Sequence, residues 1–269
     1  MHSPNSQKDE LSHQIAAGNS QRAKELARGL PADDVGEVLA DMADSRKNSA
    51  RMLVLDLASQ YPSDGSSRAI LSRLQDSDLT IRSIAGGLIA SIAQKDLTPT
   101  MFRLLDQALD LPVKAALARQ IGMIGSKVDL TRLGTLYSSL EDTALKNDLA
   151  LAMARLGDKP SRAKLIQRLS AADASARTAA LRDILYVGDP TLARHFRVVL
   201  ADRRDAFVIS LPHDPVVAAR VCDVAIQTLD AIGVKLPFAT SPMRRFTEEQ
   251  IKEALQIVSV LERIPAPSA

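Results

Sequence analysis

Apolar positions fall in one recurring pattern along this chain. Six segments place mostly apolar residues at i, i+4, i+8 and i+11: Ala50-Val54-Ala58-Tyr61, Ile81-Ala85-Ile89-Ile92, Val113-Leu117-Ile121-Ile124, Leu145-Leu149-Met153-Leu156, Ala176-Ala180-Ile184-Val187 and Val221-Ala225-Leu229-Ile232. That spacing draws a stripe down one side of an α-helix. Successive segments begin 31, 32, 32, 31 and 45 residues apart. A period of this size predicts stacked units, none of which can bury its apolar face alone. The pattern names no partner and no reaction.

A second apolar helix precedes each of the later segments, built on Ile70-Leu71-Leu74, Leu104-Leu105-Ala108, Leu133-Leu136-Leu140, Leu165-Ile166-Leu169 and Leu192-Phe196-Val199. The unit is therefore a helical hairpin. Its turn chemistry also repeats. Asp78, Asp110, Asp142 and Asp173 stand four residues before Arg82, Lys114, Lys146 and Arg177. Such an aspartate accepts hydrogen bonds from free helix-start N–H groups and permits a pair with the cation one turn on. Gly125, Gly157, Gly188 and Gly233 close four segments, where a left-handed helix stop favours glycine. Gly86-Gly87, inside a predicted helix, costs about 1 kcal/mol per glycine relative to alanine and predicts close approach by a neighbouring repeat.

The expected organisation is one array over residues 1–269. A helical cap, split at Gly18-Asn19, covers residues 7–32. About six hairpins fill 33–233, and a linker with a capping helix occupies 234–264. Thr247 and Gln250 have the spacing of a capping box, followed by Ile251, Leu255, Val258 and Leu261 on one side. The tail from Pro265 reads as frayed. The long step before Val221 holds roughly 14 extra residues, read from Arg203-Arg204 to His213 as an extra helical turn or an apolar packing strap.

These features resemble HEAT repeats, in the short bacterial form named for its relatives among phycobilisome lyases. Asp78-Leu-Thr-Ile-Arg82-Ser-Ile-Ala85 and Asp173-Ala-Ser-Ala-Arg177-Thr-Ala-Ala180 carry the resemblance, which spans roughly residues 33–233. It implies an all-α right-handed α–α superhelix, a ladder of aspartates and cations between neighbouring units, and second helices lining a concave face. Cys222 stands where the last unit would have its cation.

Composition narrows the chemistry. Lys and Arg number 34 against 32 acidic residues, so no strong overall field attracts polyanions. Trp is absent and Tyr numbers 3, leaving few platforms for stacking bases. Cys222 is the sole cysteine and reads as a buried thiol; no internal disulfide can form. His2, His13, His195 and His213 show no metal-ligand spacing, and no phosphate loop or nucleophile turn occurs, so neither metal nor cofactor is expected. His195 reads as part of an exposed face beside buried Phe196. No run reaches bilayer length and the start lacks an apolar signal region, which places the protein in the cytoplasm unless an export signal has been removed.

The expectation is a non-catalytic protein-binding scaffold, not an enzyme. Positions two and six after each segment start make its contact strip: Ser83 and Gly87, Ala115 and Arg119, Asn147 and Leu151, Thr178 and Arg182, Asp223 and Gln227. Arg155 and Tyr186 join it, and Arg203 and Arg204 mark the insertion as a second contact. The arginines suit carboxylates or phosphates through two-point hydrogen bonds. The alternative is a nucleic-acid-binding protein of the alkylation-repair glycosylase type. A chromophore lyase is a third reading, with no residues to assign to it.

Overall fold

The computed structural model describes residues 4–107, 109–209, 217–241 and 244–264. Ala108, the insertion tip with Pro212 and His213, Pro242, the tail from Pro265, and His2 lie outside the described residues, as do the side chains from Phe207 to Leu211 expected to form a strap.

Helices dominate, as the pattern predicts. In chain order they are α1 (Pro4–Ala17), α2 (Ser20–Arg28), α3 (Ala32–Met42), α4 (Asn48–Gln60), α5 (Asp64–Ser72), α6 (Leu79–Leu88), α7 (Thr98–Leu105), α8 (Leu111–Ile124), α9 (Leu130–Ser139), α10 (Thr143–Arg155), α11 (Lys159–Arg168), α12 (Ala174–Val187), α13 (Arg197–Leu200), α14 (Val221–Ala231) and α15 (Glu248–Arg263). Each recurring segment begins on an even-numbered helix from α4 to α14, with α2 belonging to the cap. All its members are buried except Tyr61, Met153, Leu156 and Ala176, which are half-buried. The stripes therefore face the core. A fully buried aliphatic such as Ile81 contributes about 1.5–3 kcal/mol over the exposed state.

Where the sequence reads one array, the chain divides into two compact units, Met1–Ala152 and Met153–Ala269. In the first unit α1 packs on α2, α3 and α4; α4 lies on α6, and α6 on α8. Helices α3 and α5 approach each other closely. A Cβ added at Gly65 would overlap the Gly36 backbone, and one at Gly36 would overlap the Ser63 side chain. The sequence reading assigned the close approach to Gly86-Gly87 instead. A Cβ on Gly86 would meet only a Val113 methyl at 3.3 Å, and one on Gly87 would meet nothing within 4 Å. Those two glycines weaken the helix: α6 stops at Leu88 and tightens into a 3-10 turn over Ile89–Ser91. Gln120 of α8 then donates to the exposed end, at the Ile92 carbonyl.

In the second unit α12 packs on α11 and α14, and α15 covers α13, α14 and the 3-10 turn Pro190–His195. The Thr247–Gln250 box closes in both directions, with Gln250 N donating to Thr247 Oγ1 at 3.2 Å and Thr247 N to Gln250 Oε1 at 3.0 Å. Ile251, Ala254 and Val258 form the buried side of α15. Gly157, Gly188 and Gly233 take the left-handed conformation at φ 104°, 67° and 90°. Gly125 does not: its backbone is extended at φ −71° and ψ −170°.

Within its described residues the insertion forms no extra helical turn; the side chains on which the strap reading rests lie outside them. Asp205–Ile209 (β1) pairs antiparallel with Val217–Arg220 (β2), opposing Asp205 to Arg220 and Ile209 to Val217. Its Phe-Val-Ile run has the branched and aromatic composition that favours a pleated strand.

Three of the four turn aspartates cap as predicted, and among the described residues none pairs with the cation one turn on. Asp78 accepts from Thr80 N at 2.8 Å, Asp142 from Leu145 N at 2.8 Å and Asp173 from Ala176 N at 3.0 Å; Asp110 makes no such bond. Arg82 donates to the Asp76 carbonyl at 2.6 Å. One rung between units joins a predicted pair, Arg82 to Asp110 of the next unit at 3.9 Å; the closer rungs use other carboxylates. Arg51 reaches Asp76 at 2.7 Å and Arg177 reaches Asp202 at 2.9 Å, each 25 residues ahead.

Candidate functional site

Two neighbouring second helices and the chain after them enclose a cleft of the second unit. Arg182 and Leu185 of α12 form one wall, and Val224, Gln227 and Thr228 of α14 the other; Thr240 and Ser241 close a volume of ≈ 420 Å³. The third wall follows from the helix stop. At left-handed Gly233 the chain reverses, with Gly233 N donating to Asp230 O and Val234 N to Leu229 O, each at 2.9 Å. Gln227 Nε2 then donates to Ser241 O at 3.2 Å, and the Thr240 hydroxyl donates to Asp230. Leu185 remains 47% exposed at the mouth. The cleft thus offers apolar surface beside one guanidinium, which suits a partner side chain or loop carrying a carboxylate.

In the first unit the predicted strip is also on the surface. Ser83 is exposed in a groove of ≈ 360 Å³, with Leu79 and the two glycines of α6 against Pro112 and Val113 of α8. Arg119 is exposed and forms an ion pair across to Asp148 of α10 at 2.5 Å; Asn147 is exposed beside it. Three other members of the strip are not available. Leu151, Thr178 and Asp223 are buried, the last completely. Asp223 is covered because residues 244–247 fold over α14, and Phe246 N donates to it at 3.0 Å.

Arg155 has a different use from the one expected. Its guanidinium donates to the carbonyls of Tyr186 and Val187 and lies 5.6 Å from the Tyr186 ring, so it caps the end of α12. Arg203 and Arg204 are likewise bound at the base of the ribbon. Arg203 holds Glu248 through both carboxylate oxygens, the closest at 2.7 Å. Arg204 clasps Asp202 at 2.9 and 2.6 Å. That clasp, joined by Arg177, holds the Asp202 carboxyl down at about 2 although burial opposes it. Burial also works against the charge on Asp223, but Arg220 and the Phe246 amide outweigh it and keep that carboxyl below its ordinary value.

The sequence reading missed Asp76 and Asp202 and misplaced Asp223. An arginine-to-aspartate spacing of 25, shared by two units, was the available signal for the first pair. Asp223 was placed on the surface because its covering segment follows two prolines and has no periodicity to read. Elsewhere the candidates behave as structural residues. Cys222 is fully buried, and burial raises its thiol. His195 is exposed beside buried Phe196; desolvation, then the Arg194 charge, lowers its imidazole. Among the described residues no group of three or more His, Cys, Asp or Glu side chains gathers to hold a metal, and no helix is long and apolar enough to cross a membrane.

No family model matches the sequence, and no curated protein matches it. Among solved structures, the complex of CpcE and CpcF of phycocyanin lyase from Nostoc sp. PCC7120 matches 97% of this chain and 95% of its own, with 14% identity and a TM-score of 0.49. The expectation that the chain is not an enzyme is withdrawn on this finding, since the matched protein is a lyase. At that identity no residue role carries across. The chain itself, with buried stripes at a regular period on paired helices, is similar in fold to HEAT repeats.

Proposed function

We propose that this chain is a protein-binding helical-repeat scaffold that receives its partner on the exposed faces of its second helices. The cleft between α12 and α14 is the principal contact in the second unit, with Arg182 at its mouth and Gln227 fixing its far wall. In the first unit Ser83, Arg119 and Asn147 present the corresponding faces of α6, α8 and α10. The observation that supports this reading is the cleft, where an exposed leucine and an arginine share one opening lined by two successive repeats. Interfaces concentrate their energy in such apolar pockets edged by arginine.

The test is affinity capture from native lysate with the full chain, followed by Arg182→Glu and Arg119→Glu. Loss of the captured protein with Arg182→Glu, at unchanged melting temperature, is the expected result. Capture unaffected by both substitutions refutes the proposed face.

A further inference from the structure

The first helices carry a groove of their own. In the first unit α5 and α7 leave ≈ 380 Å³ between them, on helices other than those of the proposed partner face. The floor is Leu71, Leu97 and Leu104, all buried at 6% exposure or less. The rim is polar. Arg68 and Gln75 stand on one side, Arg103 and Gln107 on the other.

Three observations point to one kind of occupant. First, Gln107 Oε1 is removed from solvent and accepts no hydrogen bond among the described residues. A buried acceptor left in that state is destabilising, and a ligand N–H reaching it would relieve that cost. Second, the charged groups among the described lining residues are both guanidiniums. Arg68 is held by Asp64 at 2.6 Å, whereas Arg103 is exposed on α7. Third, glutamine side chains edge both sides of an apolar floor. A carboxamide carries the same donor and acceptor as a peptide group, so it can pair with an extended main chain.

A small anion would engage the arginines but leave the groove above the leucines unfilled and Gln107 unrelieved. An aliphatic chain alone would cover the floor and leave both rims unmatched. An extended peptide satisfies all three, with one aliphatic side chain down on the leucines, its main chain along the amides and a neighbouring carboxylate on Arg103. We propose that the α5–α7 groove binds an extended acidic peptide segment of a partner protein through an aliphatic residue flanked by aspartate or glutamate.

A displayed library of random heptapeptides, selected on the full chain and counter-selected on the Arg103→Glu, Gln107→Leu double variant, tests this directly. Enriched peptides should join Leu, Ile, Val or Met to an acidic residue. Their affinity, read by fluorescence anisotropy, should fall at least about tenfold on Arg103→Glu and stay unchanged on Arg182→Glu. Gln107→Leu gives a second readout with opposite signs: weaker peptide binding, but a higher melting temperature of the free protein, because the unpaired acceptor is gone. No enrichment, enrichment without an acidic residue, or equal binding to Arg103→Glu would each overturn the assignment. Peptide loss on Arg182→Glu alone would move the site to the α12–α14 cleft and overturn it as well.

Discussion

At the scale of single residues, the second unit is organised by carboxylates held inside it. Asp202 has a side chain 4% exposed and receives Arg177, Arg204 and the Arg204 backbone N–H. Its carboxyl sits at about 2, below the ordinary 3.8, because the Arg204 clasp outweighs burial. A depressed carboxyl adds stability that is complete above its unfolded value and disappears as the pH falls through the folded one. The contribution is on the order of 2 kcal/mol at neutral pH and is lost between about pH 4 and pH 2. Asp202→Asn should therefore lower unfolding free energy by that order at pH 7, and the gap from wild type should close toward pH 2. Urea titrations at the two pH values measure both effects; a gap independent of pH would show that the pairing is not its source.

At the scale of elements, legibility followed periodicity. The segments from Ala50 to Ile232 were readable because an α-helix repeats its buried positions every three to four residues, and those positions are buried. The capping box was readable because it is local in sequence. Its removal by Thr247→Ala should cost about 1 kcal/mol and appear as a lower melting temperature, since α15 covers α13 and α14. What was not legible depended on contacts far apart along the chain. Nothing local says that Gly65 touches Gly36, that Arg155 would cap a helix 31 residues later, or that Phe246 would cover Asp223. The ribbon's strands were not legible because a short apolar run has no period to mark a strand.

At the scale of the molecule, the charge balance is the chief argument on partners. With 34 basic and 32 acidic residues, and with Arg51, Arg119, Arg177, Arg203 and Arg204 each held by a carboxylate, no excess of positive charge favours a phosphate backbone. Gel-shift titration with duplex DNA at low ionic strength should show no retained complex. Retention that weakens steeply with added salt would restore the nucleic-acid reading. The candidate cleft was only half legible for a related reason. Arg182 and Gln227 follow from the repeat, while the wall at Thr240 and Ser241 comes from an aperiodic stretch beyond it.

The matched rungs from Arg51 to Asp76 and from Arg177 to Asp202 bear on how the ribbon came to sit where it does. The second unit completes its rung at Asp202, before the ribbon begins, and Cys222 N returns to the Asp202 carbonyl at 3.0 Å when α14 starts. Both ends of the added strands are thus tied to one residue. The excursion is a side branch on a closed joint, so evolution can lengthen, shorten or resculpt it without re-registering the helices on either flank.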